Sequence, residues 1–552
     1  MKPGDYRREY AACCAARARA RYDYCAGRTP APQLAPLRDR YADLWTPAQI
    51  ADLERAHADT PAQFETERAA LARLADAARL GYVAARASAV AEELQRCEAA
   101  TVVRWGDARV ATADVPALLA REPDAARRRE LAARWRDALA ACDDLRTALL
   151  GARNEAAATL GRASDYALRA DETRQRAAAV ALLARTSAVY DARLHAWAAR
   201  RLPPQHARAL AHADAPFFAS LAEHDKLFPA HALPQTYAAA LAPLGIRVAR
   251  QPNLRVEWHA RRTLGPAAAC FGVEPPKDVR LLVGAADVRL GAADARLDAG
   301  DAHLDAGGAA LFRRLFYAAG CAQQLAWVSA ATAERYPEFV HGPEATTRAA
   351  YGFLFRDLAH DPAWLAELRG LRPAEADAAA RDYALVALYE ARRDCAFVLH
   401  EPALAAAPDP RAESLAAEWA ARLTEATGFT HEPALHLRLI MTQTRVDACD
   451  LTDARADAGA AAVSADARAC DADACAPGSA LRARLCAAAL GEYLRTRHGR
   501  RWWATRAAGD ELIDLWNTGA RYTVEELAAL VGAGPLDVEL LAGTLAAGVG
   551  EG

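Results

Sequence analysis

The stretch whose reading decides the fold is Leu311-Phe312-Arg313-Arg314-Leu315-Phe316-Tyr317-Ala318-Ala319-Gly320-Cys321-Ala322-Gln323-Gln324-Leu325-Ala326-Trp327-Val328. Leu311, Leu315, Ala322 and Leu325 fall on one side at helical spacing, so the stretch reads as a helix with an apolar stripe. Tyr317 and Cys321 are four residues apart and share a face, one turn from each other. A turn is expected around Tyr336-Pro337, and a second helix from about Glu344, carrying Ala349, Phe353 and Leu354.

Outward from this pair the chain of 552 residues reads as mostly α. Alanine exceeds a quarter of it, and of the 68 lysines and arginines only Lys2, Lys226 and Lys277 are lysine. Alanine and arginine are both strong helix formers. Thr46-Pro47-Ala48-Gln49 and Thr60-Pro61-Ala62-Gln63 each offer Thr as N-cap, Pro at the first helical position and Gln at the third. Thr523-Val524-Glu525-Glu526 opens another helix, closed by Gly532. Long helical runs are expected at 64–98 and 125–160. Strand signals are few. Val102-Val103-Arg104-Trp105 and Ala108-Arg109-Val110 flank a two-residue turn, which reads as a hairpin over 102–110. Short β runs at 245–249, 254–258, 269–273 and 279–283 place a small sheet near 245–283. Two segments are of low complexity: a seven-residue unit repeated three times at 287–307, and an Ala/Asp run at 446–478. Both are expected to be irregular, mobile loops.

Composition excludes several classes. With 53% hydrophobic and 25% charged residues the chain is neither disordered nor fibrous. A net charge of -3 gives no footprint for nucleic acid or anionic lipid. No apolar run is long enough to span a membrane, and the N-terminus lacks the apolar core of a signal peptide, so a cytoplasmic protein is expected. The 12 cysteines contain no Cys-x-x-Cys. They are expected to be small apolar core or surface thiols in a reducing compartment.

Tyr317-Ala318-Ala319-Gly320-Cys321 and Ala349-Ala350-Tyr351-Gly352-Phe353-Leu354-Phe355 resemble the thimet oligopeptidase and oligoendopeptidase F family of zinc peptidases. In that family the first helix bears His-Glu-Ala-Gly-His and the second reads Glu-x-Phe-x-Phe-Leu-Phe. The resemblance continues at Gln251-Pro252-Asn253, at Pro275-Pro276-Lys277-Asp278-Val279, at Asp361-Pro362-Ala363-Trp364-Leu365 and at Gly499-Arg500-Arg501-Trp502-Trp503. It implies a zinc-oligopeptidase-like helical fold around a deep cleft. An N-terminal helical region, 1–200, and a peptidase-like region, 201–552, would form one unit with the cleft between them.

The departures from that family decide the expected function. In the family two histidines and a glutamate hold zinc, and the glutamate after the first histidine is the general base. Here those positions are Tyr317, Cys321 and Ala349, with Ala318 at the base. The family's Tyr- and Gly-rich loop would fall near 443–480, where this chain has no tyrosine. No catalytic residue, metal ligand or cofactor is therefore expected. The protein reads as an inactive homologue that binds a peptide or protein partner in the former active-site cleft. Gln323, Gln324, Glu338, His341, Arg348 and Tyr351 lie where the family's groove and zinc shell would be and are the candidate binding residues. The alternatives are an enzyme of another class that reuses the cleft without zinc, a metallopeptidase with atypical ligands, and a structural partner of an active paralogue.

Three further groups carry less weight. His431-Glu432-Pro433-Ala434-Leu435-His436 looks like a zinc helix, but five residues turn a helix by about 500°, so the imidazoles would diverge by roughly 140°. Pro433 also marks a helix start. Cys321 with His341 as base would make a nucleophile, yet nothing in sequence orients the pair. His303 with Asp301 and Asp305 reads as a solvated acidic loop before it reads as a metal site.

Overall fold

Helices form where alanine, leucine and arginine run uninterrupted, and glycine or proline ends many of them. The computed structural model describes residues 1–164, 172–259, 268–284, 308–342, 346–438 and 477–550. The expected loops at 287–307 and 446–478 therefore lie outside the described residues, apart from Pro477 and Gly478. The N-terminal region contains α1 (Pro3–Cys25), α2 (Glu65–Ala100), α3 (Ala125–Leu139) and α4 (Asp143–Thr159). Between α2 and α3 stands the expected hairpin, β1 (Val102–Trp105) with β2 (Ala108–Ala111), paired Val103 to Val110 and Trp105 to Ala108. Gly106 supplies the left-handed turn residue, at φ +60°.

The C-terminal region is built on α5 (Glu172–Arg201), α6 (Gly308–Trp327), α7 (Thr346–Arg356), α8 (Pro373–Ala406), α9 (Glu413–Thr427), α10 (Pro477–His498), α11 (Arg506–Asn517) and α12 (Val538–Val549). α6 packs on α7 and α7 on α10, while α8 packs on α5, α10 and α12. The largest hydrophobic core joins these helices and includes α5 residues from Ala179 onward.

Three strands, β3 (Leu254–His259), β4 (Ala268–Glu274) and β5 (Asp278–Gly284), form a sheet with β5 in the centre, parallel to β3 and antiparallel to β4. Alternation sorts its two faces. Ala269, Phe271, Val273 and Leu282 pack with Tyr22 and Tyr24 of α1. Ala268, Cys270, Leu281 and Val283 belong to the main core beneath α6. Gly272 on that face leaves room for Leu325, whose Cδ1 would lie 3.1 Å from a Cβ there. The sheet is thus held between α1 and α6, and fixes the height of α6.

Two of the caps form as read. Thr46 Oγ1 accepts from the Gln49 amide at 3.3 Å, and Thr523 with Glu526 closes a reciprocal box. Other expectations need correction. Thr60 does not open a helix: its hydroxyl donates to the Ala56 carbonyl at 2.7 Å, ending the preceding helix, and α2 begins only at Glu65. Residues 245–249 are not a strand. Gly245 stands at φ +80° after one 3-10 turn, and Val248–Arg250 forms another. The run 125–160 breaks at Ala140–Cys142, a 3-10 turn between α3 and α4.

That break has a chemical consequence. α4 packs against α2, and the turn brings Cys142 to Cys97 in a disulfide. Unpaired thiols were expected throughout, and spacing alone gave no sign of this bond, because it depends on how two helices pack. A cross-link with a sequence separation of 45 restricts the unfolded chain enough to contribute ~2–4 kcal/mol. Cys97→Ser/Cys142→Ser should lose that much in urea melts. Superimposable melts of the oxidised protein and the double variant would show that the bond contributes nothing.

Candidate functional site

α6 and α7 cross where each carries a glycine. A Cβ on Gly320 would lie 2.2 Å from the Tyr351 carbonyl oxygen, so the two backbones nearly touch. A Cβ on Gly352 would lie 2.8 Å from the Tyr317 ring and 2.9 Å from the Cys321 sulfur. Tyr317 and Cys321 therefore both face α7 at Gly352. The Tyr317 ring meets Phe353 edge-on with centroids 5.1 Å apart, and the Cys321 thiol donates to the Arg348 carbonyl at 3.6 Å. Ala318 and Ala349 are buried and present only methyl groups. Among these four positions Tyr317 alone keeps partial exposure.

Four of the six candidate binding residues are buried. Gln323 exchanges amide hydrogen bonds with Gln251 (3.0 and 3.2 Å), donates to the Tyr237 hydroxyl at 3.2 Å and accepts from the Trp327 indole at 3.0 Å. It locks α6 to the segment before β3. Asn253 of the same segment donates to the carbonyls of Pro276 and Ala326, both at 2.8 Å. Gln324 and Tyr351 are buried, each with a side-chain oxygen that has no hydrogen-bond partner among the described residues. Glu338, also buried, accepts from Arg7 Nε at 2.8 Å, and Arg7 also pairs with Glu67 at 2.9 Å. His341 and Arg348 remain partly exposed. The His341 carbonyl accepts from the Tyr10 hydroxyl at 2.6 Å, and burial with the nearby Arg348 lowers its imidazole to about 4. Arg7 and Tyr10 thus clamp α1 onto the connection between α6 and α7.

Glu338 has a pH signature. Burial pushes its carboxyl from 4.5 up to about 7, against the pull of Arg7. A carboxyl raised in the folded state contributes stability that is full below about 4.5 and is lost as pH rises through about 7. Glu338→Gln should therefore flatten the stability profile between those limits, a difference of up to about 3 kcal/mol. Chemical melts of both proteins at pH 5 and pH 7.5 test this. An unchanged slope would show that Glu338 is ionised throughout.

Sequence reasoning missed a charged cluster beside Tyr317. Arg313 lies one turn before it on α6, Arg356 one turn after Gly352 on α7, Glu390 on α8 and Arg484 on α10. Glu390 receives Arg313 at 3.0 Å, Arg356 at 2.8 Å and Arg484 at 3.4 Å. Burial would raise the Glu390 carboxyl, yet the surrounding arginines hold it well below the usual range. The guanidiniums of Arg356 and Arg484 stack on the Phe353 ring, at 4.6 and 4.2 Å from its centroid. No local signal singles these residues out: Arg313 is followed by Arg314, and Glu390 by Arg392, Arg393 and Asp394.

Two other groups meet away from this crossing. Glu223, His224 and Asp382 bring ligand-type atoms within 4.8 Å of one another. Arg200 at 3.3 Å and Arg201 at 3.7 Å already balance the two carboxylates. His436, the end of the false zinc motif, faces His400 with Nε2 atoms 2.8 Å apart, while His431 lies against Thr427. Both histidines pack against the Trp419 ring, with centroids 5.9 and 5.7 Å away, while their hydrogen-bond partners differ.

The fold is that of the helical zinc peptidases. PZ peptidase A in complex with an inhibitor is similar over 91% of this chain and 84% of its own, with 13% identity and a TM-score of 0.56. Metallocarboxypeptidase 1 of Trypanosoma cruzi is similar over 99% and 98%, with 12% identity and a TM-score of 0.54. A Bacillus anthracis protein described as an oligoendopeptidase F matches over 92% and 81%, with 12% identity and a TM-score of 0.53. No family model and no curated protein matches the sequence. At such identities the likeness establishes the fold and leaves the chemistry to the residues. Among the described residues no helix is long and apolar enough to cross a membrane.

Proposed function

We propose that this chain is a non-hydrolytic relative of the helical zinc peptidases that binds a peptide, or a segment of a protein partner, in the cleft beside α6, α7, α8 and α10. The donor set at the α6–α7 crossing carries this reading. Zinc, which the resemblance implies there, does not fit the residues present. Tyr317 and Cys321 stand where imidazoles would be, Ala349 has no carboxylate, and the Cys321 sulfur is buried against the Arg348 carbonyl. A catalytic zinc site keeps three protein ligands and an open position, and its water needs a base. Ala318 cannot accept a proton. In this reading the His-Glu-x-x-His signature is lost, no cofactor is needed, and nucleic acid and membrane are not partners. Ligand contact falls to Tyr317, His341 and Arg348, which keep exposure, with α1 covering the side where Arg7 and Tyr10 reach Glu338 and His341. Cytoplasmic placement belongs to the proposal as well, and the Cys97–Cys142 bond weighs against it.

Elemental analysis and a peptidase assay on the purified protein test the reading. The expected result is substoichiometric zinc, no cleavage of a mixed peptide pool, and a melt unchanged by a strong chelator. One equivalent of zinc, removed by chelator together with peptidase activity, would sink it.

A further inference from the structure

The cluster around Glu390 holds more positive charge than its protein partners balance. Among the described residues, the guanidiniums of Arg313, Arg356, Arg393 and Arg484 meet the carboxylates of Glu390, Asp357 and Asp394, four charges against three. These are not surface arginines: the side chains of Arg313, Arg356 and Arg484 are 8, 7 and 5% exposed. A net charge held so far from water is costly unless something pairs with it. The pairing present is incomplete. Among the described residues, the Nε groups of Arg313, Arg393 and Arg484 are buried without an acceptor. Arg484 reaches Glu390 and Asp394 only at 3.4 Å each, the long end of hydrogen bonding. Buried donors are nearly always satisfied in folded proteins, and the three in this cluster can take a further acceptor. Solvent reaches part of the cluster, since Glu390, Asp357 and Arg393 keep 22, 25 and 24% of their side-chain surface. Stacking on Phe353 fixes two of the guanidiniums in place.

We propose that Arg313, Arg356 and Arg484 form an anion subsite that takes the carboxylate of the cleft's ligand. The proposal rests on the peptide-binding reading above and adds the chemical group recognised. One surplus charge matches a monoanion, and planar guanidinium forks match a planar carboxylate. A phosphate dianion would overshoot the charge. The carboxylate comes from a peptide C-terminus or from a free organic acid.

Binding to the full-length protein separates these sources. The probes are a pool of N-acetyl tetrapeptides without acidic residues, as free acids and as C-terminal amides, together with propionate and inorganic phosphate. The free acids should bind at least tenfold tighter than the amides, and propionate should compete with them better than phosphate does. Arg313→Gln should erase the preference for the acids. Should that variant fail to fold, Arg484→Lys keeps the charge and removes the fork, and should reduce the preference in the same way. Glu390→Gln enlarges the surplus and should tighten the acids, a gain that a purely structural cluster would not give. Equal binding of acids and amides overturns the subsite and leaves peptide binding standing. Arg313-dependent binding of propionate with neither peptide pool bound overturns the peptide reading and keeps the subsite. Phosphate outcompeting propionate overturns the carboxylate assignment, and no binding of any probe overturns both.

Discussion

Gly320→Ala should destabilise the protein by at least about 3 kcal/mol, beyond the usual cost of overpacking a core, and leave little folded material. The new Cβ would lie 2.2 Å from the Tyr351 oxygen, 2.7 Å from its carbonyl carbon and 3.0 Å from the Gly352 Cα. All three atoms are backbone, so relief requires α6 and α7 to move apart. Neither can move alone, because α7 also packs on α10 and α6 on the sheet. Alanine's better helix propensity, about 1 kcal/mol over glycine, does not offset such a clash. Gly352→Ala provides the contrast. Its Cβ would meet the Tyr317 ring at 2.8 Å and the Cys321 sulfur at 2.9 Å. Those are side-chain atoms, and the partly exposed Tyr317 can swing aside, so a loss near 1 kcal/mol is expected. Urea melts of the two variants decide it. Equal melts, or a Gly320→Ala protein as stable as the parent, would mean that the helices do not cross at these glycines.

The sequence carried most of the helical architecture because its signals are local. Thr46 and Thr523 cap where they stand, and the hairpin at Gly106 needs only its own residues. The failures are places where a neighbour decides. Thr60 has the same Thr-Pro-Ala-Gln pattern as Thr46, yet its hydroxyl is taken by the helix before it. The Ala/Leu period at 125–160 continues smoothly through residues 140–142, where the chain turns to bring Cys142 to Cys97. Residues 245–249 have β-branched content, but Gly245 in a left-handed conformation keeps them in turns.

The candidate site divides along the same line. That Tyr317 and Cys321 share a face follows from their spacing, and the structure adds what they face, Gly352 and Phe353. Which polar residues reach the cleft was not legible. Gln323 reads as a free amide on a helix surface until Gln251 and Tyr237 from two other stretches of chain, and Trp327 one turn on in the same helix, close around it. The Arg313–Glu390 cluster draws on four helices, and each of its charges has another charge within two residues in sequence, so nothing local marks it.

Tyr317→His, Ala318→Glu, Cys321→His and Ala349→Glu together should give the protein a zinc site. Two imidazoles four residues apart lie on one helical face, and the missing Cβ of Gly352 leaves the hollow over which both would sit. The carboxylate at 349 would approach from α7, one turn before Phe353. Charge decides which substitutions matter most. A dication placed beside the surplus charge of the arginine cluster is opposed by it, and the two new glutamates reverse the local balance. The two histidines alone should therefore bind zinc poorly, and the carboxylate at 349 should supply most of the gain. Complete structural zinc sites contribute about 10–16 kcal/mol, so even a strained three-ligand version should bind several kcal/mol more tightly than the parent. Hydrolysis should stay weak, because the 443–480 segment brings no tyrosine to support the transition state. Zinc titration of the parent, the double-histidine variant and the quadruple variant reads this out. A quadruple variant with the parent's affinity would show that residue 349 does not approach 317 and 321 from the facing helix, and the reading of the crossing as a former metal site would fall with it.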